Sequence, residues 1–128
     1  MIYIKNNRIN FFLLSFLIFI LDQLSKFIVN TNHQTFQSKN MFLFSIDYVK
    51  NYGAAFNILS GSRVFLSTIS IVISIILLFL ILRKKNSQTL DLYSYSFILA
   101  GTLGNGFDRI YKGYVVDFIN LNYINFPV

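Results

Sequence analysis

"VFLSTISIVISIILLFLIL", residues 64–82, is an apolar stretch that contains no charged residue and ends at the basic run "RKK", residues 83–85. A helix needs about 20 apolar residues to cross the hydrocarbon core of a bilayer. Basic residues are favoured where such a helix leaves the membrane on the cytoplasmic side. The stretch therefore predicts a membrane-spanning helix and indicates an integral membrane protein.

Two further stretches repeat this pattern, over about residues 11–29 and 92–107. The first follows a short basic start, but it is longer than the apolar core of a signal peptide, and no small-x-small cleavage site follows it. The second contains Tyr93, Tyr95 and glycines, and small or polar residues in a span usually face other helices. We predict an all-α membrane protein with three transmembrane helices in a single domain, residues 1–128.

The composition supports this fold class and excludes several kinds of chemistry. Hydrophobic residues make up 55% of the 128 residues and charged residues only 12%, which is too apolar for an ordinary soluble domain. The net charge is +6, but the basic residues flank apolar stretches, so membrane lipid is expected as a partner and nucleic acid is not. The chain has no cysteine, which excludes disulfides, zinc-thiolate sites and thiol nucleophiles.

The basic clusters also predict the orientation of the chain. If the N-terminus and "RKKNSQ" lie in the cytoplasm, segments of about residues 30–63 and 108–128 lie outside. "MFLFSIDYVKN" and "YVVDFINLNYINF" in these segments alternate partly between apolar and polar residues and are rich in aromatic and β-branched types. We therefore predict a small β-rich part at the outer membrane surface.

Asp22 lies inside the first predicted span, where a carboxylate costs on the order of 2.5–3.5 kcal/mol. Lys26 follows one helical turn later, in the favourable order for an ion pair between residues four apart. The pair could simply neutralise itself near the membrane surface, or Asp22 could hold part of a functional site together. The spacing alone leaves both interpretations open.

Asp108 and Asp117 have different sequence neighbours. Asp108 precedes Arg109 at a predicted helix end, which favours a structural ion pair, whereas Asp117 lies within the apolar run "VVDFI", residues 115–119. Apolar surroundings favour a carboxyl group that can hold and deliver a proton, so Asp117 is the better catalytic candidate. On one continuous helix the two would lie on opposite faces, and only a chain reversal at Gly113 could bring them together.

Two clusters of small and polar residues are further candidates. "NYGAAFNILSG" contains Asn51 and Gly53, and "GTLGNGFDR" contains Asn105. Glycine lets a backbone or a ligand approach closely, and an asparagine side chain can donate and accept hydrogen bonds at once. Small residues near a helix start nevertheless serve helix packing more often than a binding site.

Taken in order, "DQLSK" (22–26), "NYGAAF" (51–56), "GNGFDR" (104–109) and "VVDFI" (115–119) resemble the motifs of the lipoprotein signal peptidase family, also called signal peptidase II. The resemblance implies an aspartic endopeptidase of the bacterial plasma membrane with four transmembrane helices. Such an enzyme cuts signal peptides from prolipoproteins just before a cysteine that carries diacylglycerol. It uses no metal and no organic cofactor, and we expect a monomer.

The resemblance also implies roles for individual residues. Asp117 matches one catalytic aspartate of the family. The expected supporting residues lie in the same motifs and are Asp22, Lys26, Asn51, Gly53, Asn105, Asp108 and Arg109.

One departure concerns the second catalytic aspartate, which in the family stands in an "FNxAD" motif at the start of the fourth helix. These 128 residues end at "INFPV" and contain no such motif. We therefore expect a chain truncated before that motif and nearly inactive by itself. Two other classes stay open, namely a non-catalytic truncated membrane module and a metal-dependent membrane phosphotransferase suggested by the glycine and aspartate of "GYVVD", residues 113–117. The second would gather several carboxylates, and the position four after Asp117 is Leu121.

Overall fold

A computed structural model describes residues 8–36, 39–40, 42–54, 58–83 and 89–121 of the chain. Its helices are α1 (Arg8–Thr31), α2 (His33–Phe36), α3 (Arg63–Arg83) and α4 (Thr89–Tyr111). Its strands are β1 (Lys39–Asn40), β2 (Phe44–Asn51) and β3 (Val115–Leu121). The described part of the chain is therefore mostly helical, with a small sheet, as the sequence predicts.

The three predicted spans lie within α1, α3 and α4. By length and composition, α1 and α3 are apolar enough to cross a membrane. Helix α4 has 23 residues, which is also sufficient in length, but it carries Asp91, Asp108 and Arg109 together with three glycines and is less apolar. The structure thus supports two membrane-spanning helices, and the third span stays a prediction.

Helix α4 packs against both α1 and α3 and forms the centre of the bundle. The buried core contains Phe11, Leu77, Ile81, Leu92 and Leu99 from the three helices. Small hydroxyl residues fill the remaining contacts, and Ser96 on α4 donates to the carbonyl oxygen of Phe11 on α1 at 3.0 Å. Side chains such as these allow helices to approach closely where no water is present.

The outer faces of α1 and α3 expose many large apolar side chains. On α1 they include Leu13, Phe16 and Leu17, and on α3 they include Ile75 and Phe79. Apolar surface of this extent is unusual on a soluble monomer. It is the surface expected of helices that face lipid chains.

The sheet has the strand order β1-β2-β3, and both pairings are antiparallel. Val49 pairs with Asp117 and Asn51 with Val115, and the register shifts by a bulge between Ile46 and Val49. This confirms a small β-rich part, whereas its place at the outer membrane surface stays a prediction.

The chain reverses between α4 and β3 at Gly113. Gly113 has φ +87°, a left-handed conformation that glycine adopts without the steric cost of a Cβ atom. The backbone amides of Lys112 and Gly113 both donate to the carbonyl oxygen of Asp108, at 2.7 Å and 3.2 Å. Asp108 therefore lies in the last turns of a helix and Asp117 in the strand that follows it.

Candidate active site

The centre of the candidate site is a hydrogen bond between two neighbouring strands. Asn51 Nδ2 on β2 donates to Asp117 Oδ2 on β3 at 2.7 Å. The same asparagine accepts the backbone N–H of Gly53 on Oδ1 at 2.8 Å, which fixes the orientation of its amide group. Both side chains are half-buried. Asp117 is therefore held in one position but stays accessible.

Arg109 attaches the loop after β2 to helix α4. Its NH2 donates to the carbonyl oxygen of Gly53 at 2.8 Å, and its NH1 to that of Asn105 at 3.4 Å. The guanidinium group also interacts electrostatically with Asp117 and Asp108. Within the described residues its Nε has no hydrogen-bond partner. Arg109 thus holds the segment that carries Asn51 and places a positive charge near Asp117.

Asp108 forms ion pairs with two lysines. Its side chain is 0% exposed, and its carboxylate lies 3.2 Å from Lys26 Nζ and 2.7 Å from Lys112 Nζ. The backbone N–H of Val116, directly before Asp117, donates to Asp108 Oδ2 at 3.5 Å. The close ion pairs of Asp108 are thus with Lys26 and Lys112, whereas the expected partner Arg109 interacts with it electrostatically and turns its guanidinium group toward Gly53.

Lys26 joins helix α1 to this cluster. Its side chain is 4% exposed, and its Nζ lies 3.0 Å from Asp22 Oδ2, 3.0 Å from Asn105 Oδ1 and 3.2 Å from Asp108 Oδ2. An ammonium group has three N–H donors, so each can find an acceptor. The predicted Asp22–Lys26 pair is present, but it belongs to a network between α1 and α4 and is not self-contained.

Gly104 allows Asp22 to enter this network. A Cβ atom at position 104 would overlap with Asp22 Oδ2, so any larger residue there would force the Asp22 carboxylate out of its present position. Gln23 supports the contact, since its Nε2 donates to Asp22 Oδ2 at 3.1 Å and to the carbonyl oxygen of Gly104 at 3.3 Å. Sequence reasoning missed Gln23, Gly104 and Lys112 as site residues. Gln23 and Gly104 lie within the motifs "DQLSK" and "GNGFDR", and Lys112 could have been found because it follows Asp108 by four residues.

The remaining aspartates do not form a second centre with Asp117. Asp47 accepts hydrogen bonds from Ser45 and Asn120, and Asp91 lies in the first turn of α4. Among the described residues, Asp117 has no hydrogen bond or ion pair to another carboxylate. The same residues contain no group of three or more His, Cys, Asp or Glu placed to hold a metal ion. Asp117 is therefore a partly accessible carboxylate that contacts no second carboxylate among the described residues, and it can act as a general acid or base.

An apolar cleft of about 350 Å³ lies elsewhere among the three helices. It is lined by side chains of α1, α3 and α4, among them Phe12, Phe19, Ile71, Leu103 and Phe107. None of the predicted site residues lines it. The cleft and the candidate site are separate features.

The sequence model of the family described as "Signal peptidase (SPase) II" matches residues 14–128. The chain belongs to the signal peptidase II family. Its members are aspartic-type endopeptidases of membranes, so the chain belongs to a family of lipoprotein-processing hydrolases.

Individual relatives agree with this assignment. A lipoprotein signal peptidase of Francisella tularensis subsp. novicida is 34% identical over 125 residues, which cover 93% of this chain and 78% of the relative. The corresponding protein of Alteromonas mediterranea is 38% identical over 126 residues, which cover 94% of this chain and 69% of the relative. That of Enterococcus faecalis is 32% identical and covers 92% and 74%.

Two solved structures share the fold. One is a bacterial membrane enzyme determined by the in meso method at 2.3 Å resolution, with TM-score 0.82 and 32% identity. The match covers 98% of this chain and 77% of that one. A second, determined by the same method at 1.9 Å, has TM-score 0.74 and 33% identity and covers 94% and 77%. The arrangement of helices and sheet is therefore that of known membrane enzymes.

Proposed function

We propose that this chain provides the substrate-processing site of an endopeptidase that removes signal peptides from diacylglyceryl-modified prolipoproteins. Asp117 is one of its two catalytic carboxylates. The observation that carries the proposal is the environment of Asp117. It accepts one hydrogen bond from Asn51 and has the charge of Arg109 nearby, whereas Asp22 and Asp108 are occupied by lysines.

The chemistry needs two carboxyl groups with different tasks. One, ionised, takes a proton from a water molecule while the other, protonated, polarises the scissile carbonyl group. Asn51 and Arg109 orient Asp117 for one of these tasks. We propose that the second carboxyl group is none of the five aspartates of these 128 residues and corresponds to the "FNxAD" aspartate of the family.

The other predicted residues have positioning roles in this proposal. Lys26 connects Asp22 on α1 to Asn105 and Asp108 on α4, and Asp108 in turn contacts the backbone of β3 next to Asp117. Gly53 provides the carbonyl group that Arg109 binds. Movement of α1 against α4 would therefore displace Asp117.

We propose further that the protein is a monomer in the bacterial plasma membrane, crosses it several times and has its N-terminus in the cytoplasm. The basic residues 83–85 at the end of α3 support this orientation. It places the sheet and Asp117 at the outer surface, where an exported prolipoprotein would present its cleavage site. The prolipoprotein and the membrane lipid are then the partners of the chain.

A non-catalytic membrane module is the second candidate function. It is favoured by one observation, namely that no other carboxylate of the described residues contacts Asp117. A processing assay separates the two functions. The assay measures the cleavage of a diacylglyceryl-modified prolipoprotein by three proteins, and cleavage is detected as a change in the electrophoretic mobility of the prolipoprotein. They are the 128-residue chain, the chain extended by the C-terminal segment of the Francisella relative, and the extended chain with Asp117→Asn.

We expect cleavage by the extended chain only. Removal of one member of a catalytic pair costs a factor of at least about 10²–10⁴, because the two groups act as a unit. Insertion of all three proteins into membranes is the control. If the Asp117→Asn protein cleaves as well as its parent, Asp117 is not a catalytic residue. If the extended chain is inserted but inactive, the non-catalytic function is favoured.

A further inference from the structure

Arg63 is the first residue of α3 and lies outside every motif that the family resemblance uses. A positive charge at the N-terminus of its own helix is unfavourable, since that end carries the positive end of the helix dipole. Its guanidinium group points instead to the C-terminus of α4. There, Nε donates to the carbonyl oxygen of Arg109 at 2.6 Å, and NH2 donates to that of Ile110.

These two carbonyl groups belong to the last turn of α4, where no intrahelical donor remains for them. The helix dipole also makes this end negative, so a cation is favoured there. A guanidinium group is planar and holds its donors in a fixed fork, which suits two neighbouring carbonyl oxygens better than an ammonium group does. Arg63 thus caps α4 from another helix.

The last turn of α4, which Arg63 caps, is connected to both partners of the Asn51–Asp117 hydrogen bond. The side chain of Arg109 holds Gly53, whose N–H in turn fixes the amide of Asn51. On the other side, the chain passes from Arg109 through Gly113 into β3, which carries Asp117. The Arg63 guanidinium also lies beside Gly113, where a Cβ atom would be 3.7 Å from its NH1.

We propose that Arg63 is a positioning residue that holds Asn51 and Asp117 in register by fixing the last turn of α4. It does not touch the reacting groups and acts through Arg109. The proposal rests on the proposed function for its catalytic consequence, but the effect on the Asn51–Asp117 hydrogen bond can be measured without activity.

The test uses Arg63→Gln, which removes the charge and the planar fork from an exposed residue. Arg83→Gln is the matched control, because Arg83 is an exposed arginine at the opposite end of the same helix and stacks on Phe79 at 5.2 Å. The first measurement is the NMR resonance of the Asn51 side-chain amide in the ¹⁵N-labelled 128-residue chain in detergent micelles. Asp117→Ala supplies the resonance position for a lost hydrogen bond.

We expect Arg63→Gln to move the Asn51 resonance toward its position in Asp117→Ala, and Arg83→Gln to leave it unchanged. Arg63→Lys retains the charge without the fork and should give an intermediate shift. If Arg63→Gln fails to fold, the Arg63→Lys protein decides. An Asn51 resonance identical to that of the unchanged protein, in whichever of the two variants folds, overturns the proposal.

The second measurement is the rate of prolipoprotein cleavage by the extended chain. A misplacement of about 1 Å can cost on the order of 100-fold in rate, so we expect kcat to fall about 10- to 100-fold for Arg63→Gln with little change in KM. Arg83→Gln should retain the parent kcat. A loss confined to KM, or equal losses in both variants, would contradict the proposal. If the unchanged extended chain does not cleave, the proposed function fails and the NMR result alone decides the role of Arg63.

Discussion

Lys26 and Lys112 offer a direct test of how burial sets the strength of an ion pair. Both ammonium groups contact Asp108, which is completely buried, at 3.2 Å and 2.7 Å. Lys26 is only 4% exposed, whereas Lys112 is 28% exposed. The variants Lys26→Met and Lys112→Met each remove an ammonium group from Asp108 and keep the apolar stem, and Lys26→Met also removes the contacts to Asp22 and Asn105.

Removal of one partner from a buried ion pair typically costs about 3–5 kcal/mol, because the other charge is left without compensation. In Lys26→Met, Asp108 retains Lys112, and Asp22 is 28% exposed and can be partly hydrated. We therefore expect a loss near the lower limit, about 3 kcal/mol in the free energy of unfolding. For Lys112→Met we expect about 1 kcal/mol, since water can partly replace its charge.

The assay is reversible unfolding in mixed micelles, followed by tyrosine fluorescence, because the chain has eight tyrosines and no tryptophan. A third protein combines Lys26→Met with Asp108→Asn, which removes the uncompensated anion, and should regain part of the lost stability. Equal losses for the two lysine variants, or a larger loss for Lys112→Met, would refute the reasoning from burial. A double variant less stable than Lys26→Met alone would refute the role of the charge.

Three further predictions concern orientation, titration and packing. In intact cells, Asn51→Cys should react with a membrane-impermeant thiol reagent and Lys84→Cys should not; the opposite pattern would overturn the proposed topology. Burial, together with neighbouring tyrosines, raises the pKa of Tyr48 from 10.0 to about 12. Its neutral form should therefore stabilise the fold below about pH 10, and this stabilisation should be lost as the pH rises through about 12. In an ultraviolet titration one phenol should ionise later than the others, and uniform ionisation of all tyrosines near pH 10 would contradict the prediction. Gly104→Ala should lower the free energy of unfolding by about 1–3 kcal/mol in the same assay, because the added Cβ atom overlaps with the Asp22 carboxylate. Gly101→Ala is the control and should cause no such loss, because a Cβ atom there meets nothing within 4 Å.

Local patterns in the sequence predicted the long helices and the Asp22–Lys26 pair. The hydropathy of a segment depends only on neighbouring residues, and an ion pair between residues four apart requires only that they lie on one helix. The helices and this ion pair can therefore be predicted without knowledge of the tertiary fold. The third span was predicted over residues 92–107, and the helix that contains it is longer. Helix α4 continues to Tyr111 because Asp108 and Arg109 find partners on other elements and can stay in the helix.

Long-range contacts of the site could not be predicted in this way. Lys26 and Asn105 are separated by 79 residues, and Arg63 and Arg109 by 46. Neither contact has a periodicity or a motif of its own, because each depends on how α4 packs against α1 and α3. The family resemblance supplied the names of several of these residues but not their partners. Arg63 had no such signal and was found only from the geometry of the helix end.

The balance of charge around α4 indicates why a second carboxylate would complete the site as an acid–base pair. Three carboxylates, Asp22, Asp108 and Asp117, lie in one network with three cations, Lys26, Arg109 and Lys112, so the formal charges cancel. A second catalytic carboxylate beside Asp117 would add one uncompensated negative charge. A proton shared between the two carboxyl groups removes that excess, and this is the state in which one is a base and the other an acid. On the proposed function, Lys26 and Lys112 are already paired with Asp22 and Asp108, so of these three cations only Arg109 can act on the catalytic pair.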